Sequence, residues 1–452
     1  MSFFVEDLAQ YVADLRYEDI PSATVESAKK CILDSAANML CGRYTETGRM
    51  ALEYLETFPT QSGREATLIG GSIASLEQVI FAHTVMARCA DLDDGSRRAM
   101  GHPGCVLVPV VLAVAEAEHR TGREAIAALV AGYDLYVRTG SAINPTSYKD
   151  RGFDATGLCG AVAAAGAVSK LMGGNREQIR NAIGLAALFC GGLIEYQNDG
   201  TMGKTLCGAW AGATGLRAAQ LAKIGFTGPD AAFEGKKAFM QAFSNAPNGD
   251  FIVKDLGKYF CINEVYFKLH ACMRGLHSAI DAILRLRNEL DLTPDRVREI
   301  IVWTTPFVER LSNPTPETIV GAQCSLQFTM ATAIQNGNLG EEKLLVDALQ
   351  NEQVRALAKK IRCERSEELQ AYVNEHPSHW STVCVEVETT DGARQKATVH
   401  LPTGEPENPL SWADLTSKLI RMTKDGPLSS LAAAIPVRIE ALEEADLSTL
   451  WH

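Results

Sequence analysis

The run Gly157-Leu158-Cys159-Gly160-Ala161-Val162-Ala163-Ala164-Ala165-Gly166-Ala167-Val168-Ser169-Lys170-Leu171 decides the fold class of this chain. It reads as a helix with little bulk between Gly160 and Ala167. Helices with such faces approach one another closely, which predicts a compact all-helical core rather than a bundle with leucine seams. Outward from it, helical spacing recurs. Residues 4–16 place Phe4, Leu8, Tyr11, Val12 and Leu15 on one face. Pro21 and Ser22 open a second helix, with Val25, Ala28, Ile32, Leu33, Ala36 and Leu40 inward and Gly42 at its end. Further helices are expected at 76–88, from Pro103 through Pro109 to about 120, and at 123–138, 176–189 and 206–224.

The pattern changes after about Glu264. Residues 298–305 are rich in β-branched side chains. Residues 381–388 alternate, with Val383, Val385 and Val387 on one face, and Ala397, Val399 and Leu401 alternate again. Asp391-Gly392 between the last two runs signals a hairpin. Helices are expected at 275–289, 322–334, 341–349 and 352–361, so this region reads as α+β. After Pro402 the chain turns loop-like, then helical at 412–422 and 428–442.

The chain has 452 residues, 46% of them hydrophobic, with 37 Gly and a formal charge of −12. It is apolar enough to offset chain entropy, which excludes disorder. Its acidic balance argues against broad nucleic-acid binding. No apolar run has the length of a membrane span, and Met1 to Asp7 lacks the basic start of a signal peptide. The 12 Cys are scattered singly, without a Cys-x-x-Cys pair or zinc-ligand spacing. They read as reduced thiols, and a cytoplasmic location is expected.

Four stretches hold polar residues that look out of place. The first runs from Asp91-Leu92-Asp93-Asp94 to His102-Pro103-Gly104. Its acids are spaced to bind a divalent cation, or to hold and tune a nearby His. A solvated loop before a helix start explains them equally. His102 lies at the positive end of that helix, a setting that disfavours a charged imidazole. The second, Gly152-Phe153-Asp154-Ala155-Thr156-Gly157, puts Asp154 or Thr156 at a helix mouth, where an N-cap alone accounts for either. The third contains Gly203-Lys204-Thr205. It is not a phosphate-binding loop, because position 198 is Asn and no strand precedes it. The fourth, Lys268-Leu269-His270-Ala271-Cys272-Met273-Arg274-Gly275-Leu276-His277, packs two cations and two His beside a helix start, where His277 reads as structural. Nucleophile-elbow, dinucleotide and zincin motifs are missing. The remaining set of acid, His and Lys suits proton abstraction next to a carboxylate.

These four stretches, with Lys204-Thr205-Leu206-Cys207-Gly208 and His277 to Ala282, resemble the MmgE/PrpD family, as do Ile20-Pro21 and residues 29–34. The likeness covers nearly the whole chain. It is specific for the family and much less so for the reaction, since members include 2-methylcitrate dehydratase, cis-aconitate decarboxylase and iminodisuccinate epimerase. The resemblance implies a mainly α fold, with a large all-helical domain over 1–264 completed by C-terminal helices in 403–452. It implies a smaller α+β lid domain over 265–402, a homodimer, and neither metal nor organic cofactor. By position, Asp91 and His102 match the family's active-site acid and His, and Lys204 and Lys268 its substrate-facing lysines. Many members have His where this chain has Asp154 and Cys207. An acid at 154 inverts the charge of a protonated imidazole, which favours a smaller carboxylate or one with an amino or hydroxyl group.

The expectation is therefore a cofactor-independent lyase on a small di- or tricarboxylate, dehydratase-like. His102 is the general acid/base, Asp91 orients it or shares in proton transfer, and Lys204 and Lys268 stabilise developing charge. Asp154, Thr156, Arg274, Asp93 and Cys207 are candidates for substrate contact. The alternatives are an epimerase, a decarboxylase, a metal-dependent lyase using Asp91, Asp93 and Asp94, and a non-catalytic anion-binding helical dimer.

Overall fold

The computed structural model describes residues 3–60, 63–424 and 426–452. Met1 and Ser2, which open the stretch read for a leader, lie outside them. The first half is built from the helices Phe4–Asp14, Ser22–Gly42, Leu76–Cys89, Gly104–Ala117, Gly122–Ile143, Ala155–Leu171, Arg176–Phe189 and Gly203–Lys223. The small-residue run has the expected consequence. A Cβ added at Gly215 would sit 2.5 Å from Ala164 Cβ and 2.8 Å from the Ala165 nitrogen. The helices Ala155–Leu171 and Gly203–Lys223 therefore meet nearly backbone to backbone, and even one methyl there would overpack the crossing. Helix Gly203–Lys223 begins three residues before the expected 206, which brings Lys204 into its first turn.

The sheet lies in the second half. Strands β1 (Glu65–Thr67) and β2 (Ile73–Ser75) form a small hairpin near the start of the chain. Strands β3 (Val297–Thr304), β4 (Ile361–Arg365), β5 (Val383–Thr389) and β6 (Arg394–Val399) form a sheet in the order β4-β3-β5-β6. Only the β3–β4 pair is parallel. Val383, Val385 and Val387 are fully buried, as their alternation predicts. Gly392 turns the β5–β6 hairpin with φ +89°, a conformation that costs glycine little.

Two readings change. The helix expected over 352–361 stops at Ala358, and the chain then extends into β4. Arg362, Glu364 and Arg365 make that strand polar, as suits an edge, and hide its extended character. The helices Glu46–Thr57 and Glu367–Glu375 and the β1–β2 hairpin were not anticipated.

Among the described residues the chain is mostly helical with this small sheet. Two apolar cores follow the division. One gathers the first-half helices together with Leu415, Leu419, Ile435 and Ile439 from the C-terminal helices Trp412–Thr423 and Ser429–Glu440, and with Trp451 beyond them. The other gathers residues between Cys272 and Ala397. The C-terminal helices are also tied down by charge. Buried Lys418 donates to Asp34 Oδ1 at 2.6 Å and to the Leu92 carbonyl at 2.7 Å. No helix among the described residues is long and apolar enough to cross a membrane.

Candidate active site

The segment between helices Leu76–Cys89 and Gly104–Ala117 carries the first group of site residues, and it is fixed from several sides. The Leu92 carbonyl accepts from Lys418, and Asn38 Nδ2 approaches it at 3.3 Å. Gly95 pairs with Tyr266 in an antiparallel bridge, and Ser96 with Gly101. Asp94 accepts from Tyr133 Oη at 2.6 Å and from the Gly104 amide at 2.8 Å. Burial pushes its carboxyl up to about 7. Asp91 adopts φ +54°, which an aspartate tolerates better than most side chains.

That backbone turn aims the Asp91 carboxylate into a group of cations. Lys268 Nζ lies 2.8 Å from Oδ1, Lys204 Nζ 3.0 Å from Oδ2, and Arg88 Nη1 3.2 Å from Oδ1. Burial opposes ionisation of Asp91, but Lys204, Lys268 and Arg88 outweigh it and hold the carboxyl well below its usual range. Arg88 also reaches Asp93 Oδ1 at 2.9 Å. Lys204 is steadied further by Gln323 Oε1 at 3.3 Å. Burial lowers the pKa of Lys268, against the pull of Asp91.

His102 stands beside this cluster. Its Nδ1 is 2.6 Å from the Asp94 carbonyl and 3.3 Å from Asp93 Oδ2. Both neighbours are acceptors, so Nδ1 carries the proton and Nε2 keeps its lone pair. Burial, reinforced by the Arg88 charge, brings the imidazole down to about 4. It is therefore neutral near pH 7 and ready to accept a proton. The groups that meet the imidazole at Nδ1 are thus Asp93 and the Asp94 carbonyl, where Asp91 was expected. Asp91 instead balances cations. The three acids do not converge on one point, and no group of three or more His, Cys, Asp or Glu among the described residues could hold a metal ion.

Asp154 caps helix Ala155–Leu171 by accepting from the Thr156 amide at 2.8 Å, and Tyr196 Oη donates to its other oxygen at 2.8 Å. Cys207 adjoins it: a Cβ at Gly192 would lie 3.6 Å from both Asp154 Cβ and Cys207 Sγ. Burial first, then the Asp154 charge, pushes the Cys207 thiol up to about 12, so it stays protonated. The carboxylate and the thiol are thus neighbours.

These groups open on a cavity of about 710 Å³. Asp91, His102, Lys204, Lys268, Asp154 and Arg274 line it. Thr156, Asp93 and Cys207 are not on its wall. Thr156 Oγ1 faces the His102 amide at 3.4 Å, and Asp93 faces Arg88 and His102. Arg274 Nη2 is 2.7 Å from buried Glu405, so much of its charge is balanced. Among the described residues, seven Lys and Arg line the cavity against three Asp and Glu. A chain of net charge −12 thus presents a cationic pocket, suited to an anion. Sequence reading missed Arg88, Tyr196, Tyr266 and Gln323. Arg88 ends a helix, where a basic residue needs no other reason. The other three sit in no motif.

The model of the MmgE/PrpD N-terminal domain matches residues 6–251, and that of the C-terminal domain matches 270–441. The chain belongs to the MmgE/PrpD family. Among curated members it is 27% identical to the cis-aconitate decarboxylase-like protein oryM of Aspergillus oryzae over 447 residues, covering 92% of this chain and 90% of that protein. It is 24% identical to cis-aconitate decarboxylase of Aspergillus terreus over 425 residues, covering 89% and 85%. The Mus musculus cis-aconitate decarboxylase is 24% identical over 465 residues, covering 98% and 92%. The MmgE/PrpD assignment spans both the helical part and the sheet-bearing part, and the cavity described above draws on both.

Proposed function

We propose that this MmgE/PrpD protein is a lyase acting on a small di- or tricarboxylate, and that it begins by removing a proton next to a carboxylate. The observation that carries the reading is a neutral His102, protonated at Nδ1 and free at Nε2, beside two lysines in a cationic cavity. The substrate carboxylate lies against Lys204 and Lys268. His102 Nε2 takes the α-proton, and the electron pair moves into the carboxylate. The ammonium groups stabilise that added negative charge. The resulting imidazolium then protonates a β-hydroxyl, which leaves as water, and an alkene forms. Asp93 and the Asp94 carbonyl hold the imidazole in its working tautomer. Asp154 accepts from the substrate hydroxyl. No step is assigned to a metal or organic cofactor.

Two further readings use the same groups. Similarity to cis-aconitate decarboxylases favours loss of carbon dioxide, in which the breaking C–C bond leaves its electron pair on the substrate beside Lys204 and Lys268, and a protonated His102 delivers the proton that takes up that pair. The acid at position 154 favours return of the proton on the opposite face, which makes an epimerase of an amino- or hydroxy-dicarboxylate. We assign residues 265–402 as an α+β lid over a helical domain formed by 1–264 and 403–452, supported by the two separate apolar cores. Twelve free cysteines support a reducing compartment such as the cytoplasm. The homodimer rests on the family likeness.

The test is incubation with a panel of di- and tricarboxylates in deuterated water. Alkene formation supports elimination, carbon dioxide release supports decarboxylation, and deuterium uptake without loss of mass supports epimerisation. A panel that shows neither turnover nor exchange sinks the enzyme reading. His102→Ala is expected to abolish turnover while anion binding survives. Full activity in that variant removes His102 from the mechanism.

A further inference from the structure

Tyr148, Tyr196 and Tyr266 line the cavity. Two of these tyrosines commit their hydroxyls to the protein. Tyr148 Oη accepts from Gln197 Nε2 at 2.9 Å, and Tyr196 Oη donates to Asp154 at 2.8 Å. The hydroxyl of Tyr266 has no hydrogen-bond partner among the described residues and is not enclosed by protein. It is a donor left to whatever fills the cavity.

The ring that carries it is held firmly. The Tyr266 amide donates to the Gly95 carbonyl at 2.9 Å, and the Gly95 amide donates back at 3.0 Å. The phenol lies against Gly95, where a Cβ would come within 2.3 Å of Oη. Only glycine leaves it that space. The residue before Gly95 is Asp94, whose carbonyl meets His102 Nδ1 at 2.6 Å. Tyr266 and His102 are thus fixed by two adjacent residues, and their rings meet edge to face, 6.5 Å between centroids. The Arg274 guanidinium lies over the Tyr266 ring, 5.0 Å from its centroid, and is itself held by Glu405. Burial keeps the phenol protonated, although Arg274 works against it. The site therefore sets a neutral donor beside the neutral acceptor of His102.

We propose that Tyr266 is a catalytic residue, whose hydroxyl donates to the substrate oxygen that gains negative charge when His102 removes the proton. This rests on the lyase reading of the same site and adds a donor to Lys204 and Lys268. The phenol keeps its proton throughout, so no further bond forms or breaks. Its hydrogen bond strengthens as the oxygen gains charge, and a donor fixed beforehand costs no reorganisation at that moment. The effect therefore falls on kcat rather than on KM.

The experiment compares the wild-type protein with Tyr266→Phe, which keeps the ring and its contact with Arg274. Turnover and deuterium uptake are measured on the panel of di- and tricarboxylates, and thermal unfolding checks that the variant is folded. Calorimetry gives affinities for succinate and for the nitronate form of 3-nitropropionate, whose nitro oxygens carry charge as the deprotonated acid does. We expect kcat to fall about a hundredfold with KM nearly constant. Nitronate affinity is expected to fall about tenfold while succinate affinity holds. Wild-type turnover in Tyr266→Phe, or a loss through KM alone, overturns the role of Tyr266 and leaves the lyase reading intact. A wild-type protein that turns over none of the acids, with nitronate affinity still lost selectively in the variant, overturns the lyase reading and keeps the donor. Nitronate affinity that is equal in the two proteins, or undetectable in both, overturns the donor whatever the turnover.

Discussion

Asp91 and Asp154 are both buried carboxylates on one cavity wall, yet their surroundings differ in kind. Asp91 is met by Lys204, Lys268 and Arg88. Asp154 is met by neutral donors, Tyr196 Oη and the Thr156 amide, with a protonated Cys207 beside it. The first acid sets the geometry of the cations and leaves them a surplus of positive charge. The second is held by neutral donors alone among its hydrogen bonds. One residue type therefore serves as a scaffold for cations in one corner and is capped by neutral groups in the other.

The largest effect is expected at the scaffold. Asp91→Asn leaves three buried cations without their shared partner, at a cost of about 3 kcal/mol of stability by denaturant unfolding. Activity should fall by about a thousandfold as the lysines lose their positions. A variant with wild-type stability and activity would show that Asp91 does not organise the cluster. Next comes His102→Gln, which should lower kcat by about a hundredfold with little change in anion affinity. The matching pH profile follows from the imidazole's position near 4. The base is neutral above that pH, so kcat/KM should climb through about pH 4 and stay level toward neutrality. A rise centred near 6.5 would mean that burial does not depress the group.

His102 and Asp94 act on stability with opposite signs. His102 is depressed below its unfolded value of about 6.5, so the unfolded chain binds the extra proton between about 4 and 6.5. Its contribution is present above that window and is lost as pH falls through it. Asp94 is raised to about 7, so the folded chain binds the extra proton between its unfolded value of about 3.9 and 7. Its contribution is present at low pH and is lost as pH rises. His102→Gln should remove the first dependence and Asp94→Asn the second, read by urea midpoints across pH 4 to 8.

Smaller effects are expected at Asp154. Asp154→Asn should shift preference by about tenfold toward acids lacking a hydroxyl or amino group, read as a ratio of kcat/KM values. An unchanged ratio would deny Asp154 any part in choosing the substrate. Tyr196→Phe removes one hydrogen bond to that acid and should raise KM about threefold with kcat nearly constant. A large fall in kcat instead would place Tyr196 among the groups that touch the reacting atoms.

The helical half was legible because its small-residue run has only one good packing solution, the close crossing seen at Gly215 and Ala164. Strand β4 was not, because its charged side chains resemble those of the helix before it. In the site, Asp91, His102, Lys204 and Lys268 stand out as polar residues in segments that border helices. Their pairing does not, since 177 residues separate Asp91 from Lys268. The exchange of Asp91 for Asp93 as partner of His102 depends on a single left-handed backbone turn, which composition cannot reveal. Arg88 and Gln323 act only through neighbours that folding supplies.

The bond from Lys418 to the Leu92 carbonyl spans 326 positions of chain. The segment that bears Asp91, Asp93 and His102 thus takes an anchor from helix Trp412–Thr423, far along the chain. A growing chain can hold every group needed for proton transfer and still lack the arrangement that makes them work. The loop therefore cannot be set before helix Trp412–Thr423 is made, and shortening the protein ahead of Trp412 should both open the helical core and slacken the loop.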